Sequence, residues 1–254
     1  MMVDFNAVYV LWLREMKRFT RARSRVVGIL VMPLFFLLGL GLGLGGLVGH
    51  VSGESYLQFI VPGIIGMSLM STAIASGFSV IWDREFGFLK EIMVTPNSMA
   101  SIAFGRMLGG TTTALLSATM VTVISVLIGF NIHYSAMVLL AIVFMVLIAL
   151  TFISLGLILA SVITDLQGFG MITSFFTMPL LFLSNGLFPL SQFPRIVQDI
   201  AYFNPLNYGI DGIRGALGGA SAFPPVVDLA AMAVIVALMA SLAVYAFSKS
   251  ETGV

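Results

Sequence analysis

The chain has 254 residues, of which 59% are hydrophobic and only 9% charged, with a mean hydropathy of +1.08 and a formal net charge of +1. Soluble domains carry about a quarter charged residues, so this surface cannot be covered by water-compatible groups, and lipid must supply much of the solvent. The absence of cysteine excludes disulfides, thiolate metal sites and cysteine nucleophiles, and the sixteen methionines read as adaptable filler between helices.

Residues 1–25 predict an amphipathic helix. Phe5, Val8, Trp12, Met16 and Phe19 recur at helical spacing, while Arg14, Arg18, Arg21 and Arg25 line another face. Such a helix is expected in the membrane interface, with Trp12 in the acyl boundary and its arginines among anionic headgroups. The first long apolar run begins near Val26, after this basic stretch, and is too long for the core of a secretory signal.

Residues 26–254 read as a single transmembrane domain, and the fold class is an all-α membrane protein. A spanning helix needs roughly 20 apolar residues. Six stretches qualify: about 26–48, 57–82, 102–130, 136–163, 169–188 and 226–248. None carries an acidic side chain in its interior, and Arg106, in the first turns of the third, is expected to snorkel toward the headgroups. Ten basic residues fall on one side of these spans, against Arg195 and Arg214 on the other. The positive-inside bias therefore puts both termini in the cytoplasm.

Within the first span, GLGLGLGGLVG (39–49) contains three overlapping pairs of glycines four residues apart, Gly39/Gly43, Gly41/Gly45 and Gly45/Gly49. No Gly-Lys-Ser/Thr follows, so a phosphate loop is rejected and close helix packing is expected. Between spans two and three, IWDREFGFLKEIMVTP (81–96) places five charges in nine positions. Read as a helix over about 83–94, it carries Phe86, Leu89 and Met93 on one stripe, and Thr95-Pro96 ends it. Its mixed charge favours a protein groove over a lipid surface.

The segment 188–225 predicts two short amphipathic, re-entrant helices on the outer side, at about 194–217. Asn204 reads as an N-cap and Pro205 as the first helical residue. Local ion pairs are expected between Arg195 and Asp199 and between Asp211 and Arg214. Protease and hydrolase chemistry has no support. Asp83, Asp165 and Asp228 sit at span ends, there is no His-Glu-x-x-His helix, and there is no P-loop. The chain is expected to be no enzyme and to bind no metal or nucleic acid.

REFGFLKEIMVTP (84–96) resembles the segment after the second span in permease subunits of the ABC-2-type exporter family, the daunorubicin-exporter-like group with the type V exporter fold. SNGLFPLSQFPRIVQDIAYFNPLNYGIDGIRGAL (184–217) resembles that family's Gly-x-Phe-Pro and Asn-Pro-Leu-x-Tyr pattern with a downstream Arg, here Asn204, Pro205, Tyr208 and Arg214. Lys90 departs from the family, which often has a polar or acidic residue there.

The resemblance implies a permease that meets a second permease subunit, identical or related, and binds a cytoplasmic ABC ATPase, two copies per transporter. ATP and Mg would then reside on that partner, and this chain would hold no cofactor. It assigns Arg84, Glu85, Phe86, Gly87, Leu89 and Glu91 to ATPase coupling. On span five, Thr177, Met178, Phe182 and Asn185 are candidates for the pathway or its gate. The implied activity is ATP-driven export of an amphipathic or lipid-like substrate across the cell membrane. An ion-gradient-driven transporter and a non-transporting scaffold are the alternatives.

Overall fold

A computed structural model describes residues 4–45, 50–51, 54–87, 99–132 and 137–252. Its order is α1 (Phe5–Arg21), α2 (Arg23–Phe36), a π-helical stretch (Leu37–Leu44), α3 (Tyr56–Ser76), α4 (Phe78–Glu85), α5 (Met99–Ile128), α6 (Val138–Val162), α7 (Leu166–Phe182), α8 (Arg195–Ala201), α9 (Pro205–Ala216) and α10 (Pro225–Thr252). A two-residue antiparallel ladder, His50–Val51 with Glu54–Ser55, precedes α3. The protein is an all-α membrane protein. Among the described residues, five stretches are long and apolar enough to cross a bilayer: Val26–Gly43, Tyr56–Glu85, Met99–Ile128, Val138–Val162 and Pro225–Lys249. The fifth expected span, 169–188, is instead the 17-residue α7 followed by turns.

Tyr56–Glu85 is the central element, with 83% of its most apolar window buried, against 17% for the first and last spans. In lipid there is no hydrophobic force between helices, so close backbone approach has to come from small residues. Gly63 abuts the Gly186 backbone, Gly66 takes Ile210 of α9, and Gly77 meets the carbonyl of Gly156 on α6.

The glycine run in span one behaves differently from expectation. A Cβ added at Gly39 or Gly45 would meet nothing within 4 Å among the described residues, whereas one at Gly41 would meet Leu57 and Ile60 of α3. Spaced glycines after the helix-interior Pro33 favour regular helix poorly, and here the chain winds as a π-helix.

The helix at 205–216 begins as its sequence says. The Asn204 side chain accepts from the Leu206 N–H, and Pro205 opens the first turn. Most of α9 is buried, wedged against α3, α6 and α10. Arg214 is paired with Asp211 (3.6 Å), donates to the carbonyls of Asn185 (2.6 Å) and Phe59 (3.3 Å), and lies 4.3 Å from the centroid of the Phe59 ring. Asp211 also accepts backbone N–H groups of Ala222 and Phe223. The Arg195–Asp199 pair is not present among the described residues, and both side chains are exposed.

The Asn204 amide further donates to Leu180 and Leu183 carbonyls at the end of α7. Asn204→Ala therefore removes an N-cap and a cap for a second helix together. It is expected to cost about 1–2 kcal/mol, read as a lower melting temperature in detergent.

Candidate functional site

The helix that closes span two runs to Glu85. Phe86 caps it and Gly87 turns with φ of +75°, a left-handed conformation that glycine adopts without a Cβ penalty. The coupling helix expected over about 83–94 therefore does not start at Asp83, because 83–85 still belong to α4. Leu89 and Glu91 lie outside the described residues. Of the other assigned residues, Glu85 and Phe86 are exposed. Arg84 donates to the Ala160 carbonyl near the end of α6 at 3.2 Å, tying the start of this segment to the bundle.

Asp83 is the centre of a charged joint. Its carboxylate takes a two-pronged pair from Arg14 of α1 (2.6 and 2.8 Å) and a third bond from Arg106 of α5 (2.8 Å). Arg106 also donates to Ser79 Oγ at 3.3 Å. Forked guanidinium–carboxylate pairing combines charge with fixed geometry. Arg106 is only 3% exposed, so it does not snorkel to the headgroups as expected. It turns inward because a buried carboxylate faces it there. Arg14, outside the apolar spans, feels burial, which alone lowers its pKa. The hydrogen bond and charge of Asp83, with the charge of Glu15, outweigh that and hold it above its ordinary value.

α1, the helix expected at the membrane interface, packs along the first turns of α5. Asp4 N–H donates to Ser101 Oγ, Leu11 sits over Gly105, Glu15 over Gly109, and Trp12 Nε1 donates to Thr112 Oγ1 at 3.0 Å. Trp12 and Arg14 thus each have a hydrogen-bond partner on a neighbouring helix. Arg18 lies 3.9 Å from Glu15 and lines a hollow with Ala75, Phe78 and Trp82, while Arg21 closes the helix, where a cation complements the carbonyl end.

Beyond Ala75 lies an apolar groove of about 270 Å³ between α2, α3 and α7. Met32 and Phe36 form one wall, Met67 and Ser71 the second, and Thr177 and Met178 the third. Its described lining has no charged side chain. Thr177 Oγ1 bonds the Thr173 carbonyl, as helix hydroxyls usually do. Thr72 Oγ1 does not: it is buried against this groove with no hydrogen-bond partner among the described residues.

Thr177 and Met178 thus meet at one wall, whereas Phe182 and Asn185 do not join them. Phe182 stacks on Phe188, and Asn185, at φ of 54°, accepts from Leu190 N–H. Tyr208 donates to the Tyr202 carbonyl in the α8–α9 corner. Burial raises its phenol pKa, helped by the charges of Asp228 and Tyr202. Asp228, placed at a span end from the sequence, is fully buried in the first turn of α10, with neither oxygen partnered among the described residues.

Asp83 and Arg106 were not read as a pair from the sequence, and Ser71 and Thr72 were not singled out. A signal for the first two existed: opposite charges stand just inside both ends of one loop.

The model of the ABC-2 type transporter family matches residues 6–217. The chain is 32% identical over 200 residues to nodulation protein J of Rhizobium leguminosarum bv. viciae, covering 78% of this chain and 76% of that protein. It is 29% identical over 234 residues to the inner membrane transport permease YadH of Escherichia coli strain K12, covering 91% and 90%. Permeases of this kind generally pair with a cytoplasmic ABC ATPase. A non-catalytic, multi-pass membrane protein with an apolar groove beside its central helix fits that description, and the chain belongs to the ABC-2 type transporter family as the transmembrane permease component of an ABC transporter.

Proposed function

We propose that the chain is the membrane half of an ATP-driven exporter, pairing with a second permease and with two copies of a separate ATPase that carries ATP and Mg. In this reading α7 serves as a sixth span, both termini are cytoplasmic, and residues 86–98 meet the ATPase. The substrate is amphipathic or lipid-like and enters the groove between α2, α3 and α7. The observation that carries this is the groove itself: apolar on three walls, without a lining charge, and with one unsatisfied hydroxyl, Thr72. Such a surface accepts a hydrocarbon chain, offers the Ser71 and Thr72 hydroxyls for hydrogen bonding, and repels a bare ion.

The test is co-expression with the partner ATPase, followed by ATP-dependent movement of an NBD-labelled short-chain phospholipid in inverted vesicles. Ser71 is exposed into the groove, so Ser71→Trp is expected to fill it while leaving the ATPase bound. Probe movement should fall about tenfold, equivalent to about 1.4 kcal/mol on the transport barrier. Unchanged movement in the variant would remove the groove from the pathway, and movement driven by an ion gradient without ATP would reject the exporter.

A further inference from the structure

The charged joint has a topology that the groove does not explain. Asp83 stands two residues before the end of α4 at Glu85, and Arg106 stands seven residues into α5, which begins at Met99. The segment 86–98 therefore leaves from this joint and returns to it. The third partner, Arg14, comes from α1, 69 positions before Asp83 in the chain. α1 in turn continues into α2 through the single residue Ala22, and α2 supplies Met32 and Phe36 to the groove wall.

We propose that Asp83, Arg14 and Arg106 are positioning residues that lock both feet of the 86–98 segment to α1, so that a displacement imposed on the segment moves α1 and, through it, the α2 wall of the groove. The proposal rests on the reading of 86–98 as the ATPase-facing segment. The physical ground is the cost of separating buried opposite charges. Asp83 and Arg106 are almost wholly buried and cannot exchange each other for water, which fixes α4 to α5, and the two-pronged bond from the partly exposed Arg14 ties α1 to the same carboxylate. A joint of apolar side chains would allow sliding, because such contacts are non-directional. The close seating of α1 on Gly105 and Gly109 keeps it rigid along α5 below the joint.

The chain has no cysteine, so one introduced at exposed Thr20, near the end of α1, takes an environment-sensitive fluorophore at a single place. The complete transporter, with its ATPase, is reconstituted and ATP is added. The dye on the otherwise native chain is expected to shift. Arg14→Gln leaves Asp83 paired with Arg106, so the variant should fold and bind ATPase as before. Its shift should fall about fivefold, the lower range of a typical coupling between sites. Arg14→Lys, which restores the charge without the fork, should fall between.

A full dye response in Arg14→Gln, or no response in the native joint with ATPase bound, would overturn the proposal. So would a loss that only tracks lost complex or a lowered melting temperature, since that marks a merely structural bond. If the native chain binds no ATPase, the proposed function fails first and the coupling role falls with it, a result the pull-down reads separately from the dye.

Discussion

Asp83→Asn is expected to destabilise the protein by about 3–5 kcal/mol, the cost of leaving one member of a buried ion pair without its partner. The substitution keeps the size of the side chain and removes its charge, so the loss is electrostatic. Arg106 bears most of it, being 3% exposed and held by the Asp83 carboxylate and, more weakly, by the Ser79 hydroxyl. Arg14 bears less, because its side chain is 32% exposed and can swing toward water or headgroups. Against a total stability of about 5–15 kcal/mol for an ordinary domain, this is a large fraction. Thermal melting in detergent, followed by size exclusion, checks it. The double variant Asp83→Asn/Arg106→Met removes the stranded cation and should recover most of the loss. If Asp83→Asn melts like the native protein, the joint carries no net electrostatic weight.

The helices themselves were legible because twenty apolar residues have few other fates, and hydropathy reports that directly. What the helices touch was not. The moment of α1 marks an apolar face, but lipid and another helix satisfy such a face equally. The decisive sign lay elsewhere, in Gly105 and Gly109 four residues apart on α5, where Leu11 and Glu15 sit. The same spacing in the run 39–49 pointed to helix packing that, at Gly39 and Gly45, does not occur among the described residues. Small residues make a surface accessible without saying what approaches it.

Charge was misread for a related reason. Distance from a helix end told how far Arg106 would need to snorkel, but the acid opposite it came from a different helix. α9 shows the converse. Asn204 and Pro205 fixed its start locally, and the Asp211–Arg214 pair was visible at a spacing of three. Its burial among α3, α6 and α10 depends on Gly209 and Gly212 receiving Ile148 and Phe144, contacts between residues more than sixty positions apart. The groove followed the same rule: Thr177 and Met178 were found on α7, while Ser71 and Thr72 needed the fold to bring α3 beside them.

Gly77→Ala is expected to cost about 2–3 kcal/mol, in the range for forcing extra volume into a packed core. Gly77 separates α3 from α4 on the central element, and two roles are conceivable for a glycine there: a hinge, or a point of close approach. Its φ of −61° and ψ of −29° are ordinary helical values, so no special backbone freedom is being used. A Cβ added at Gly77 would stand 2.5 Å from the Gly156 carbonyl oxygen and 2.8 Å from its carbon. Those are backbone atoms of a neighbouring helix, which cannot rotate away as a side chain would. Relief requires α3–α4 and α6 to separate, which would also disturb Gly110 where it meets Ile153 and Ser76. Gly28, in α2, has nothing within 4 Å, so Gly28→Ala should be neutral or stabilising by up to about 1 kcal/mol through helix propensity alone. Melting both variants separates the roles. Close approach predicts a lower melting temperature for Gly77→Ala and none for Gly28→Ala. A hinge predicts a Gly77→Ala protein of native stability that no longer moves the phospholipid probe, and that outcome would displace the packing account.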